Sequence, residues 1–220
     1  MNLPAPASTS NPGAEASRAR LTQLKAQVRK PGEASFFWYE PQFDSVAVKV
    51  LPGEYFVCSE ELPIMTTLGS CIAACLWDSQ ARIGGLNHFL LAEGGDGSGR
   101  YGSFAMEILI NEMMNRGAVR ASLQAKVFGG GQVIGGLNSV NVGERNTHFV
   151  LDYLKTERIS VISKDVLDIY ARKVCFLPAS GRAMVKRLAS TNTEALLALE
   201  RKAAQLAAPV AHHGGSVDLF

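Results

Sequence analysis

Apolar and polar positions alternate along "SVAVKV", where Val46, Val48 and Val50 recur with the period of a strand, and Pro52-Gly53 supplies a turn before "EYFVC". The runs "IAACLWD" and "IGGLNHFLL" are continuously apolar and separated by "SQAR", a pattern that predicts a hairpin. "SFAMEILINEMMNRG" places apolar residues at helical spacing, with Ser103 as the expected cap and Gly117 as the stop. "AKVFGG" predicts a strand, "GERNTHFVLDYLKTER" a helix and "ISVIS" another strand. "RKVCFL" and "RAMVKRL" flank the turn "PASG" as a second hairpin. "TNTEALLALERKAAQLAAP" predicts a last helix, with a capping box of Thr191 and Glu194 and Pro209 beyond its end.

Strands that neighbour in sequence form hairpins here. The expected class is therefore α+β, as a layered α/β/α sandwich with a mixed or antiparallel sheet. The opening "MNLPAPASTSNPGAEAS" has the composition of disorder, followed by a thin helical stripe of Leu21, Leu24 and Val28. Ordered structure is expected from about "FFWYEPQF". The division is an N-terminal extension over 1–33, expected to be disordered, one domain over 34–190, and a helix with a flexible tail over 191–220.

The chain has 220 residues, 47% hydrophobic and 19% charged, which suits one globular domain. Its formal charge of +2 builds no strong field, so neither nucleic acid nor an anionic membrane is an expected partner. No apolar run approaches the roughly 20 residues of a membrane span, and the N-terminus lacks a secretory apolar core. Residues 14–30 are Arg-rich and acid-poor like a transit peptide, but a short surface helix or disorder accounts for them as well, disorder being the favoured reading. A cytoplasmic protein with reduced thiols is the expectation.

Cysteines stand at 58, 71, 75 and 175 and histidines at 88, 148, 212 and 213, in no spacing that suits a metal. "FGGGQVIGG" lacks the ending of a phosphate-binding loop and fits strand-to-loop packing or a rim facing substrate, while "GDGSGR" reads as a loop beside the site.

The first hairpin carries the candidate chemistry. With Asp78 to Ala81 as a four-residue loop, Trp77 pairs with Arg82 and Cys71 falls opposite His88. Cross-strand partners share a face with Cβ atoms about 5 Å apart. A one-residue change of loop length would send the two to opposite faces. An imidazole beside a thiol can take its proton and leave a nucleophilic thiolate. Gly69 and Ser70 give the backbone a sharp turn whose amides could meet an oxyanion, and Thr66 or Thr67 could orient the imidazole. The bland alternative is a packed cysteine, the reading adopted for Cys58, Cys75 and Cys175. His148 is expected at or near a helix surface, and His212 and His213 in a solvated tail.

The segments "LGSCIAACLWD", "GGLNHFLL", "YGSFAMEILINEM", "AKVFGGG", "VGERNTHFVLDYL" and "RKVCFLPASGRAMVKRL" together resemble the CheD family, chemoreceptor glutamine deamidases of bacterial chemotaxis. The resemblance runs from "YEPQFDSVAVKVLPGEYFV" to about Leu188. It implies a sandwich comparable to the catalytic fold of glutamine-deamidating toxins. It also implies Cys71 as nucleophile, His88 as base and a threonine, Thr66 before Thr67, as the third member. No cofactor is implied. The implied partners are the cytoplasmic helices of methyl-accepting receptors and the CheC phosphatase, with a monomer favoured. A non-catalytic adaptor that binds receptors or CheC is the competing class, and another acyl-transfer cysteine enzyme a third. The chain departs from the family at "DVLDIYARKV", where a glycine pair is often found between the aspartate and "RKV".

Overall fold

The computed structural model describes residues 12–91, 101–132, 142–189 and 198. Helix α1 (Pro12–Ala26) is followed by strands β1 (Phe36–Glu40), β2 (Ser45–Lys49), β3 (Tyr55–Cys58), β4 (Ile64–Leu68), β5 (Ile72–Asp78) and β6 (Ile83–Phe89). Then come α2 (Gly102–Asn115), β7 (Leu123–Gly129), α3 (Val142–Thr156), β8 (Ser160–Val166), β9 (Ala171–Leu177) and β10 (Arg182–Leu188).

The class is α+β with mixed sheets, as expected, and the strand layer is two sheets deep. The inner sheet runs β3-β6-β5-β7-β8 and the outer sheet β1-β2-β4-β9-β10. Only β7–β8 and β2–β4 are parallel pairs among the described strands. One core fills the space between the sheets, from Val48, Ile64 and Leu68 to Leu86, Phe128 and Phe176. A second core joins the far face of the inner sheet to α2 and α3, through Ile72, Leu76, Leu109, Met113 and Val150.

Burial on both faces explains why "IAACLWD" and "IGGLNHF" are continuous apolar runs rather than alternating ones. Gly84 and Gly85 set how closely the layers approach. A Cβ at Gly84 would meet Pro178 of the outer sheet's hairpin at 2.7 Å, and one at Gly85 would meet Leu109 of α2 at 2.8 Å.

Three local expectations are corrected. The β5–β6 loop has four residues, but they are Ser79 to Arg82, since Asp78 pairs with Ile83 and Trp77 with Gly84. Asp78 stays in the strand because its carboxylate accepts from Gln80 N, Ala81 N and Val119 N, tying the loop to the segment after α2. Ser103 does not cap α2. The helix begins at Gly102, where a Cβ would lie 2.3 Å from the Phe149 ring of α3, and the cap position falls on Tyr101, whose side chain makes no capping bond. Within 1–33, residues Pro12–Ala26 form α1 and Leu24 is buried against β1 and β2, while Val28 is exposed. Gly117 ends α2 with φ +100 as expected. The capping box of Thr191 and Glu194 lies outside the described residues.

Candidate active site

In strand β4, Ile64 and Leu68 belong to the core between the sheets and Thr66 is 2% exposed. Met65 is buried as well, at 4%, and Thr67 is half-buried. Thr66 and Thr67 both border an outer groove of about 490 Å³ with Phe36, Trp38, Lys49, Met65 and Lys173. What separates the two threonines is burial, Thr66 being 2% exposed and Thr67 half-buried.

After Leu68 the chain crosses from the outer to the inner sheet through Gly69, Ser70 and Cys71. Each of their carbonyls is held. Gly131 N donates to Gly69 O at 2.8 Å and Gly130 N to Cys71 O at 2.8 Å. Asn146 Nδ2, on α3, donates to Ser70 O at 3.1 Å and to Leu90 O at 2.7 Å. One buried amide thus bridges the crossover that carries Cys71 to the segment that follows His88. The glycines of "FGGG" permit this contact: Gly129 has φ +110, and a Cβ there would lie 2.1 Å from Cys71 O. The expectation of strand-to-loop packing for this motif holds at 129–131, and residues 133–136 lie outside the described ones.

His88 opposes Ala73 rather than Cys71, because Ile72 pairs with Phe89. The register is therefore displaced by two residues from the expected one. A displacement of two preserves the face, so Cys71, Ala73 and Cys75 line the space between the sheets together with His88. Cys71 stands one residue before β5, two positions from Ala73, the partner of His88. Cys71 and His88 are each 1% exposed.

The imidazole is oriented from across the core. His88 Nδ1 lies 2.9 Å from Thr66 Oγ1, and the same hydroxyl lies 2.8 Å from Val50 O. A threonine hydroxyl has one proton and must give it to the carbonyl, which can only accept. It therefore accepts from His88 Nδ1–H, and the basic lone pair of the neutral ring is on Nε2. The His88 main chain is fixed as well, by His88 N to Glu54 O at 3.0 Å and Gly53 N to His88 O at 2.7 Å.

The other thiols are chemically quiet. Burial pushes Cys58 up to about 12 and Cys175 up to about 11, and Cys75 is raised further by the same cause. All three stay protonated at neutral pH, in keeping with core roles. His148 is exposed on α3, and His212 and His213 lie outside the described residues. Among the described residues no cluster of three His, Cys, Asp or Glu side chains could hold a metal ion, and no helix is long and apolar enough to cross a membrane.

Two contributors were missed from sequence. Asn146 stands on the apolar stripe of α3 with Val150 and Leu154, a polar residue at core spacing. Arg172 alternates with the core residues Val174 and Phe176 on β9 and is 0% exposed. Both positions break a hydrophobic period, which was the available signal.

Residues 91–187 match the family described as CheD chemotactic sensory transduction. A probable chemoreceptor glutamine deamidase CheD 1 of Albidiferax ferrireducens is 61% identical over 204 residues, covering 92% of this chain and 87% of the relative. A probable chemoreceptor glutamine deamidase CheD of Thiobacillus denitrificans is 45% identical, covering 85% of this chain and 96% of its own. That of Bordetella petrii is 47% identical, covering 87% and 90%.

Proposed function

Because the chain belongs to the CheD family, we propose that it hydrolyses the side-chain amide of glutamines in chemoreceptors, with Cys71 as nucleophile and His88 as base. The observation that carries this reading is the bond between Thr66 Oγ1 and His88 Nδ1, which leaves Nε2 basic on the face that Cys71 shares.

In the first step the Cys71 sulfur attacks the carboxamide carbon, and its proton passes to His88 Nε2. The C–N bond then breaks, Nε2–H protonates the departing ammonia, and a thioester remains. Nε2 next takes a proton from water, whose oxygen attacks the thioester. Collapse releases glutamate and restores the thiol. Amide and water are consumed, and carboxylate and ammonia are formed.

The Gly69–Ser70–Cys71 backbone is the nearest source of oxyanion donors. Its carbonyls are committed to Gly131, Asn146 and Gly130, so the turn is fixed before substrate arrives. The start of α3 meets the same crossover through Asn146 and packs by Gly143 on Gly130, and the positive end of a helix favours developing negative charge. Burial strengthens these interactions by excluding bulk water. Conversion of a neutral glutamine to glutamate on a receptor helix adds repulsion between like charges there.

The test is incubation with a receptor cytoplasmic fragment, followed by mass spectrometry of its peptides. The expected result is the mass gain of amide-to-acid conversion at particular glutamines, with ammonia released in equal amount. Binding without conversion would assign the protein to the adaptor class instead.

A further inference from the structure

The crossover at Leu167 to Tyr170, which returns the chain from the inner to the outer sheet, has a backbone unlike its neighbours. Leu167 (φ 64) and Asp168 (φ 71) are consecutive non-glycine residues in the left-handed region. Such a conformation strains a leucine, and strain of this kind gathers at functional sites. Here it is held by the buried Arg172. Its Nε donates to Asp165 at 2.8 Å, Nη1 to Tyr170 O at 3.0 Å and Nη2 to Leu167 O. Leu167 N donates to Gly129 O at 2.9 Å and Gln132 N to Asp168 O at 2.7 Å. A guanidinium removed from water and spent on one turn is expensive unless the turn's shape matters.

That shape turns apolar side chains to solvent. Ile169 is 65% exposed and Leu167 and Tyr170 are each 38% exposed, with Arg187 stacked 5.3 Å over the Tyr170 ring. The patch is continuous with the catalytic end of the molecule, since Gly129 and Gly131, which anchor it, also pack on Cys71 O and Gly69 O. The charges around it are mixed: Lys164 and Arg187 are exposed, and so is Asp168 within the crossover, whereas the Asp165 carboxylate is engaged by Arg172 and Arg187.

We propose that the Leu167–Tyr170 crossover is the rim on which the receptor docks, taking the apolar side of a glutamine-bearing helix whose acidic residues meet Lys164 and Arg187. This rests on the deamidase reading for the identity of the partner. Apolar residues three and four apart on a helix form the matching stripe.

Calorimetric titration of a receptor cytoplasmic fragment tests it, beside sedimentation of the free protein. Ile169→Asp is expected to raise Kd roughly tenfold, the scale of one lost anchor residue. Leu167→Gly is expected to raise Kd several-fold while the thermal midpoint holds or rises, because glycine relieves the backbone strain. Val119→Asp, at an exposed valine in the segment after α2, is expected to leave Kd unchanged. Equal Kd values for the wild type, Ile169→Asp and Leu167→Gly would overturn the proposal. So would a wild type that does not bind the fragment. A change confined to the mass of the free protein would overturn it in favour of self-association. Binding that Ile169→Asp weakens, in a wild type that converts no glutamine, would sustain the rim while removing the deamidase reading.

Discussion

Thr66 and His88 come from different sheets, yet the hydroxyl of one and Nδ1 of the other meet at 2.9 Å. The hydroxyl's proton is committed to Val50 O, so this single contact sets the tautomer of the ring. Thr66→Ala leaves the Val50 carbonyl and His88 Nδ1–H without their partner in a dry core. The expected outcome is a fall in kcat of about 100-fold, the lower end of what a general acid–base step contributes. Thr66→Ser, which keeps the hydroxyl, should recover most of the rate. Steady-state deamidation of a receptor fragment by the two variants checks this.

Asn146 holds the crossover and the Leu90 carbonyl with one amide. Asn146→Leu keeps the volume and loses both bonds, of which the one to the buried Leu90 carbonyl costs about 1–3 kcal/mol. Chemical denaturation should report that loss. In the fraction that remains folded, kcat should fall while KM stays near the wild-type value, because Asn146 positions the nucleophile turn.

Two glycines with positive φ separate conformational cost from collision. At Gly117 (φ +100) the nearest atom to an added Cβ is 3.9 Å away, so Gly117→Ala meets backbone strain alone, about 1–2 kcal/mol. At Gly129 (φ +110) the added Cβ would lie 2.1 Å from Cys71 O. Gly129→Ala should therefore destabilise by clearly more than Gly117→Ala and should also abolish deamidation. Thermal unfolding and activity of the pair measure the difference.

Asp78 gives a pH dependence of stability. Burial alone would raise its carboxyl, but the amides of Val119, Ala81 and Gln80 bind the anion, and the net shift is downward. A folded-state value below the unfolded value of about 3.9 contributes stability that is complete above that pH and is lost as pH falls through the folded value. Asp78→Asn should thus destabilise by about 1.5–3 kcal/mol at pH 7, the scale of hydrogen bonds to a charged group. The gap between the two proteins should narrow as pH drops below about 4. Urea denaturation across that range checks the sign.

Much of the site was legible because local patterns carry it. The hairpin of "IAACLWD" and "IGGLNHF" was recognisable from its apolar runs, and its loop length was right. The loop's position was not, since Asp78 both ends a strand and binds the loop's amides, a double role that no propensity reveals. The error moved the register by two and left Cys71 and His88 on one face. An odd displacement would have parted them. The division into two sheets was hidden because it depends on non-local pairs such as Val48 with Ile64 and Thr66 with Val174. The segment "DVLDIYARKV", where the resemblance led one to expect a glycine pair, holds Leu167 and Asp168 at positive φ, a conformation that glycine adopts readily.

The most direct measurement uses a receptor cytoplasmic fragment with enzyme in excess, comparing the wild type with Cys71→Ala after confirming that both are folded. The expected result is conversion of particular glutamines to glutamate by the wild type and none by Cys71→Ala. Conversion by Cys71→Ala at the wild-type rate would contradict the assignment of Cys71 as the nucleophile.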